Sequence, residues 1–126
     1  DGVRGAAQLV WRPEAYVSAL DSGYMMGDGV WEGILVHRGV LLFVEAHFSR
    51  LYEAAAALDM RIDLRPEQLQ QSLYTLVDAN DAADASDLHL RLMVTRGLKR
   101  APYQSPSLTV GDPTIVVVPH WKHAPA

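Results

Sequence analysis

The sequence contains no cysteine, which excludes both a disulfide framework and a metal site built from thiolates. Basic residues are also too few for a surface that binds nucleic acid, since eleven Lys and Arg stand against fifteen Asp and Glu. No apolar run approaches the roughly 20 residues that cross a bilayer, and the first residues lack the pattern of a signal peptide. Together these absences predict a soluble, cytoplasmic protein.

What the sequence does contain is enough apolar material for one domain. Its 126 residues are 49% hydrophobic, which suffices for a core. The first residue is not methionine, and residues 120–126 are polar and contain proline. We therefore expect a piece of a longer protein, with an amino-terminal small domain over residues 1–119 and the start of an interdomain linker over residues 120–126.

The first third of the chain is expected to be mainly strands and turns. Short strands are predicted at residues 8–11 and 14–19, followed by a glycine-punctuated loop over residues 21–29. Apolar residues then favour strands at 30–37 and 40–44, joined as a hairpin by a tight turn.

The remainder predicts helices followed by strands. Residues 45–58 place apolar side chains at three- and four-residue steps, so this helix can pack on the hairpin. A second helix is expected to begin near Pro66 and to stop near Asn80. Strands are predicted at residues 89–95 and 114–118, the second apolar enough for the centre of a sheet. This order predicts an α+β domain whose mainly antiparallel sheet is covered by two helices.

The most unusual segment is the glycine-rich stretch from residue 21 to residue 33. Its four glycines allow tight turns or a close approach of the backbone to a ligand. From composition alone, the simplest interpretation is a loop that enters a hairpin. The spacing does not match a Walker loop or a dinucleotide fingerprint, so it does not predict phosphate binding.

Three segments of the chain resemble fold-type IV pyridoxal-phosphate enzymes, the class IV aminotransferases. Residues 27–33, GDGVWEG, are similar to the segment before that family's first long hairpin. Residues 45–51, EAHFSRL, are similar to a helix start in which His is followed three residues later by Arg-Leu. Residues 91–97, RLMVTRG, are similar to a strand that ends in Thr-Arg-Gly. All three occur in the family order, and the resemblance implies the amino-terminal small domain of this fold.

The resemblance implies a homodimeric aminotransferase that moves an amino group between an amino acid and a 2-oxo acid through pyridoxal phosphate. The family includes branched-chain and D-amino-acid aminotransferases, R-selective amine transaminases and aminodeoxychorismate lyase. The lyase, which shares the scaffold and cofactor but eliminates pyruvate, is one alternative function. A catalytically silent binding or structural domain of the same fold is another.

Arg50 is the candidate cofactor-binding residue, because the matching arginine in the family binds the cofactor phosphate. A guanidinium suits this task, since its planar fork can donate two charge-assisted hydrogen bonds to phosphate oxygens. Without the resemblance, an arginine on a helix would be interpreted as a solvated charge. His47, near the same helix start, is interpreted as a structural hydrogen-bonding residue.

Three apolar side chains are candidates for the substrate pocket. The resemblance places Trp31 and Met26 in the pocket lining, with the loop around Met26 reaching the active site of the neighbouring subunit. Trp121 lies close to the position where branched-chain enzymes carry a pocket tryptophan. Each of the three could instead be an ordinary packing residue.

Arg91, Arg96 and Arg100 are the candidate anchors for a substrate carboxylate. Arg100 resembles the arginine that follows Thr-Arg-Gly in D-amino-acid enzymes, although it arrives one position early. Arg91 matches a pocket arginine of branched-chain enzymes, although His89 replaces their tyrosine. The substrate class and its stereochemistry therefore remain open. The alternative is that Arg96 and Arg100 are simply loop charges.

The family's catalytic lysine is not expected in this chain. The only lysines are Lys99 and Lys122, and the resemblance places the catalytic lysine beyond the Thr-Arg-Gly strand in a second domain. No catalytic residue is therefore assigned, and this fragment alone is expected to be inactive. No metal site is predicted either, because a pair of histidines near the carboxyl end lacks a third ligand.

Overall fold

A four-stranded antiparallel sheet forms the centre of the domain in the computed structural model, which describes residues 7–122. The strands are β1 (Gly29–His37), β2 (Val40–Leu41), β3 (Leu88–Thr95) and β4 (Thr114–Trp121). They lie in the order β2-β1-β3-β4, and every neighbouring pair is antiparallel. The predicted α+β class is confirmed.

Two helices of fourteen residues follow the hairpin, α2 (Val44–Ala57) and α3 (Pro66–Ala79). Pro66 occupies the first turn of α3, where its missing N–H costs nothing. The Gln68 side chain accepts a hydrogen bond from the backbone N–H of Arg65 at 2.9 Å, which fixes the start of the helix. Both helices were predicted to within a residue or two at each end. No helix in the described range 7–122 is long and apolar enough to span a membrane.

The core lies between the helices and one face of the sheet. Alternate residues of β1 and β3 point toward the helices, as the two-residue period of a strand requires. The fully buried side chains of this layer are Ile34, Val36, Leu51, Leu69, Leu73, Val77, Leu88, Leu90, Leu92 and Val94. The opposite face of the sheet carries Trp31 and Arg91, both exposed. One face of β1 therefore serves the core and the other is available for binding.

The predicted turn between β1 and β2 is present. Arg38 and Gly39 both have positive φ angles, of 50° and 75°, as a two-residue hairpin turn of this twist requires. The Gly39 N–H donates to the Ala85 carbonyl at 3.1 Å, so the turn packs against the segment before β3. β2 is shorter than predicted, because the chain enters α2 at Val44.

Two predictions for the first part of the chain were wrong. Residues 8–11 and 14–19 are not strands, and the only regular element there is a short 3-10 helix, Arg12–Glu14. Pro13 favours this helical turn, and residues 8–11 and 14–19 form no ladder with any strand of the described chain, although the Arg12 side chain donates to the Pro119 carbonyl of the edge strand β4. The predicted loop also contains a helix, α1 (Ser22–Met26). Asp21 caps its start by accepting from the Gly23 N–H at 2.8 Å, and Gly27 ends it with a φ of 66°.

The last strand also differs from its prediction. β4 extends to Trp121, so His120 and Trp121, predicted to begin a linker, are paired with His89 and Leu88. Within residues 7–122, β4 lies at the edge of the sheet and not at its centre. Its apolar run is explained by use of both faces, since alternate residues pack against the core and the others lie on the open face. Residues 123–126 of the predicted linker lie outside the described residues.

Replacing Gly39 by alanine should destabilise the domain far more than the same change at Gly111. Both glycines have positive φ, but a Cβ at Gly39 would lie 1.7 Å from the Ala83 carbonyl oxygen, whereas at Gly111 it meets nothing within 4 Å. We expect Gly39→Ala to lower the free energy of unfolding by about 2–4 kcal/mol, and Gly111→Ala by about 1 kcal/mol. Urea unfolding of the two variants checks this, and equal losses would contradict the close contact.

Candidate functional site

The carboxylate of Glu32 lies at the junction between β1 and α2. Its side chain is 4% exposed, on the face of the strand that the helices cover. Oε2 accepts a hydrogen bond from Nε of Arg50 at 2.7 Å, and Oε1 accepts one from Nη2 at 2.6 Å. This two-point contact fixes the plane of the guanidinium as well as its distance.

His47 completes the same cluster. Its Nδ1 lies 2.7 Å from Oε1 of Glu32, within hydrogen-bond distance. His47 and Arg50 are three residues apart on α2, a spacing that places both on one side of the helix. The helix therefore approaches β1 with two nitrogen-bearing side chains directed at one carboxylate, and the structural role predicted for His47 agrees with this contact.

The contact between Glu32 and Arg50 favours the charged forms of both groups. The hydrogen bond from Arg50 lowers the pKa of Glu32 below its ordinary value of 4.5, and His47 and the charge of Arg50 act in the same direction, whereas burial acts against them. The same hydrogen bond raises the pKa of Arg50. The pair is therefore an ionised carboxylate and a guanidinium cation at neutral pH.

Arg50 keeps donors for a ligand. Its side chain is 71% exposed, and Nη1 has no hydrogen-bond partner among residues 7–122. A guanidinium whose plane is fixed on one edge and whose other edge is free matches the geometry of a phosphate group. The residues present therefore fit the phosphate of pyridoxal phosphate at this position.

The open face of the sheet brings Trp31 and Arg91 together. The guanidinium carbon of Arg91 lies 4.0 Å from the centroid of the Trp31 ring, a cation–π contact. Arg91 is paired with Gly33, which has no side chain and so leaves room for the arginine to reach across to Trp31. Trp31 is 57% exposed. The two side chains form a surface that combines the apolar indole of Trp31 with the guanidinium cation of Arg91.

Glu32 and Trp31 are neighbours on β1, and their side chains lie on opposite faces of the sheet. The strand therefore carries the partner of the candidate phosphate arginine and the wall of the candidate substrate pocket in consecutive positions. A single peptide unit therefore links Trp31 to Glu32, the residue that orients Arg50.

Arg96 has a different environment from the one predicted. Its Nε donates to Oδ2 of Asp28 at 2.6 Å, and its Nη2 donates to the Leu58 carbonyl at 2.7 Å, just beyond the end of α2. Weaker contacts reach the other Asp28 oxygen and the Asp59 carbonyl. A cation at a helix carboxyl end is favourable. These contacts give Arg96 a structural role in the folded chain, and its role as a carboxylate anchor stays a prediction.

Charged side chains of both signs surround Arg96. The residue lines an open cleft of about 450 Å³. The same cleft is also lined by Asp59, Asp63 and Asp112. Arg61 lines this cleft as well, so acidic and basic side chains both surround it.

The other predicted pocket residues are not brought to Trp31 and Arg91 within this chain. Trp121 is paired with Leu88 on the helix-covered face, and five positions along β3, roughly 16 Å, separate Leu88 from the partner of Trp31. Met26 is half-buried at the end of α1. Arg100 is exposed in the loop after β3. The pocket assignments of Met26, Arg100 and Trp121 stay predictions, and Trp121 lies far from the Trp31–Arg91 pair within this chain.

The two lysines of the chain lie away from the Glu32 cluster. Lys99 is 1% exposed, and its ammonium is engaged by backbone carbonyls. Lys122 is exposed directly after β4. Within residues 7–122, no group of three or more His, Asp or Glu side chains is placed to hold a metal ion.

Sequence reasoning missed the roles of Glu32 and Asp28, although both belong to the glycine-rich motif. A usable signal existed for Glu32. In the predicted strand it alternates with Ile34 and Val36, and a carboxylate on a buried face requires a cationic or hydrogen-bonded partner. For Asp28 no local signal existed, because its partner lies 68 residues away in the sequence.

Replacing Glu32 by glutamine should destabilise the protein in a pH-dependent way. Because the folded-state pKa is lowered, the ionised carboxylate stabilises the fold above about pH 4.5, and this stabilisation is lost as the pH falls through the lowered pKa. We expect Glu32→Gln to cost about 1–2 kcal/mol at pH 7, the low end for a charged hydrogen bond because Arg50 is largely exposed. Urea unfolding at pH 7 and pH 3.5 measures this. A loss that is equal at both values would contradict the ionised cluster.

Comparisons with known proteins agree with this geometry. The model of the amino-transferase class IV family matches residues 29–125. Branched-chain-amino-acid aminotransferase-like protein 2 of Arabidopsis thaliana is 32% identical over 115 residues, which cover 91% of this chain and 20% of that protein. D-alanine aminotransferase of Bacillus licheniformis is 38% identical over 90 residues, which cover 71% of this chain and 31% of that protein.

Solved structures share the fold. A hypothetical aminotransferase from Mycobacterium tuberculosis, in a pyridoxal-phosphate-bound form, aligns with a TM-score of 0.73 at 25% identity over 90% of this chain and 36% of its own. 4-amino-4-deoxychorismate lyase from Pseudomonas aeruginosa aligns with a TM-score of 0.67 at 27% identity over 90% of this chain and 38% of its own. The chain thus spans less than two fifths of each of these proteins. The family match over residues 29–125, which includes the Glu32 cluster and the Trp31–Arg91 pair, shows that this chain belongs to the class IV aminotransferase family.

Proposed function

We propose that the protein containing this chain is a pyridoxal-phosphate-dependent aminotransferase that moves an amino group between an amino acid and a 2-oxo acid. The observation that carries the proposal is the guanidinium of Arg50, which the buried Glu32 orients while one edge stays free. Arg50 stands at the position that the class IV motif assigns to phosphate binding. Relatives named as branched-chain and D-alanine aminotransferases support the same activity.

In this proposal the chain contributes binding and orientation. Arg50 would hold the cofactor phosphate through the donors that Glu32 leaves free, and the two hydrogen bonds to Glu32 fix the plane of the guanidinium. Pyridoxal phosphate, when bound, supplies the electron sink that makes the substrate Cα–H bond labile. The family's catalytic lysine is proposed to lie in a second domain, because Lys99 is buried among backbone carbonyls and Lys122 is exposed directly after β4.

The open face of the sheet is proposed to bind the substrate. Arg91 can donate two hydrogen bonds to a carboxylate, and its contact with Trp31 fixes its position without consuming its donors. Trp31 itself offers an apolar wall to the substrate side chain. An amino acid with a largely apolar side chain therefore fits this surface. Whether it belongs to the L branched-chain or the D series depends on whether Arg91 or Arg100 holds the carboxylate.

The lyase alternative is favoured by one observation, the structural similarity to 4-amino-4-deoxychorismate lyase. The two activities differ in what they consume. An aminotransferase needs a 2-oxo acid to accept the amino group, whereas the lyase releases pyruvate without an acceptor. Assaying the full-length protein with and without 2-oxoglutarate separates them. A purified protein without absorbance from bound cofactor would instead favour the catalytically silent domain.

A cytoplasmic homodimer is the proposed assembly. Large apolar side chains are exposed around α1 and the segment before it, and exposed apolar residues at this density indicate a surface that is covered in the complete protein. The most exposed are Trp11, Tyr16 and Tyr24. In a two-fold dimer the same loop lies on both sides of the interface, which would place Met26 near the partner. Light scattering of the full-length protein over a concentration series tests this, and a monomer would contradict it.

Arg50→Ala should weaken cofactor binding in the full-length protein. Losing a charged hydrogen-bonded contact to phosphate is expected to raise the dissociation constant for pyridoxal phosphate roughly ten- to hundredfold. Arg61→Ala is the matched control, because Arg61 is also exposed but lies outside the Glu32 cluster. Fluorescence titration of the apoenzyme with cofactor measures both variants. Equal affinities for wild type and Arg50→Ala would overturn the phosphate assignment.

Substitutions of Arg91 and Arg100 should show which of the two arginines binds the substrate carboxylate. If Arg91 holds the carboxylate, Arg91→Ala should lower kcat/KM for the preferred amino acid about tenfold or more, because a charged contact is lost, and Arg100→Ala should change it little. Rates with D-alanine, L-leucine and R-phenylethylamine identify the series and the role of the carboxylate. Faster turnover of the simple amine, with amino-acid rates unchanged in both variants, would show that neither arginine is an anchor.

A further inference from the structure

Lys99 is the one buried cation of the described residues, and no part of the proposed site uses it. Its side chain is 1% exposed. The ammonium Nζ donates to three successive backbone carbonyls, those of Tyr103 at 3.1 Å, Gln104 at 3.0 Å and Ser105 at 3.1 Å. An ammonium has three N–H donors, and here each one has its own acceptor.

No carboxylate pairs with Lys99 among residues 7–122, so its charge is compensated by carbonyl dipoles alone. Burying an ammonium is costly unless every donor is satisfied. Conversely, the three carbonyls would lose their partner if the ammonium were removed. The side chain therefore fills and closes the loop that runs from Arg100 to Ser105.

The backbone around Lys99 is held from both sides. The Lys99 N–H donates to the Leu20 carbonyl at 3.0 Å, and Asp21 and Leu98 form an antiparallel bridge. On the other side, the Arg100 N–H donates to the Leu108 carbonyl at 3.0 Å. The short segment after β3 therefore lies between the residues that precede α1 and the residues that close the loop.

Side chains alternate in such an extended segment, so an inward Lys99 implies an outward Arg100. Arg100 is indeed exposed, and its side chain has no hydrogen-bond partner in the range 7–122. The backbone of Arg100 is therefore fixed, while among the described residues all the donors of its guanidinium stay free for a ligand.

We propose that Lys99 is a positioning residue, which fixes the Arg100–Ser105 loop so that Arg100 is held ready for the carboxylate of the substrate. The substrate part rests on the proposed function, whereas the fixing of the loop does not. Lys99 does not contact the substrate in this proposal. It acts through the backbone that it shares with Arg100 and through the three carbonyls that it holds.

Limited trypsin digestion of the full-length protein tests the fixed loop. Cleavage after Arg100 requires the loop to open, since a protease must bind several residues in extended form. Lys99→Met keeps the length and apolar stem of the side chain but removes all three donors, so we expect cleavage at this bond to become at least about tenfold faster. Lys122→Met is the matched control and should leave this rate unchanged, because Lys122 is exposed.

Kinetics test the positioning. We expect Lys99→Met to raise KM for the preferred amino acid about tenfold with a smaller change in kcat, and to leave KM for R-phenylethylamine, which has no carboxylate, nearly unchanged. In an Arg100→Ala background, Lys99→Met should have no further effect on the amino-acid KM, because it acts through that arginine. Lys99→Arg, which keeps the charge and several donors, should restore part of the protection from trypsin.

The possible outcomes distinguish a failure of the proposal for Lys99 from a failure of the proposed aminotransferase function. Unchanged cleavage in Lys99→Met would overturn the role of Lys99 in the loop. Faster cleavage with an unchanged KM, or equal KM effects with and without Arg100, would overturn its role in positioning. A full-length protein that binds no pyridoxal phosphate and shows no amino transfer would overturn the proposed function and with it the substrate part. The cleavage rates would still decide whether Lys99 holds the loop.

Discussion

The carboxylate of Glu32 is the constraint on which the arrangement of the site depends. A buried anion would be strongly unfavourable alone, and it is stable here because α2 brings Arg50 and His47 to it. Because both carboxylate oxygens are bound from α2, the contacts restrict the rotation of this helix about its axis and its distance from β1. The same contact that makes the buried charge tolerable therefore orients the guanidinium, and the free edge of Arg50 points where the packing of the helix directs it.

The two faces of β1 have different roles, one in the core and one on the open side of the sheet. Glu32, Ile34 and Val36 face the helices, while Trp31 and Gly33 lie on the open side, where Arg91 of β3 crosses over to the indole. The register between β1 and β3 therefore determines both which residues enter the core and that Arg91 reaches Trp31. A slip of one residue would expose the core face and place Trp31 beneath the helices. The long, uninterrupted pairing of these two strands protects against this.

The sequence was most informative where the governing interactions are local. Pro66 and the apolar period of α3 define that helix, and Gly39 marks the turn of the hairpin, because caps and turn angles depend on neighbouring residues. It was least informative where a partner lies far along the chain. The apolar pattern of residues 8–11 resembles a strand, but in the described chain these residues form no backbone ladder. The bond from Arg96 to Asp28 likewise depends on how the sheet folds, and no spacing rule predicts it.

Four arginines that look alike in the sequence have different capacities in the folded chain, and the difference lies in their remaining donors. Arg96 is taken up by Asp28 and by the carbonyls at the end of α2, so it holds the fold together. Arg50 gives one edge to Glu32 and keeps the other, which suits a ligand that stays bound. Arg91 is placed by stacking on Trp31, which consumes no N–H at all. Arg100 has an exposed guanidinium and follows the buried Lys99, so its whole guanidinium is available to the substrate that we propose for it. Each N–H donor that holds an arginine in place is one fewer for a ligand. The contacts that position these arginines therefore determine how many donors each one can offer.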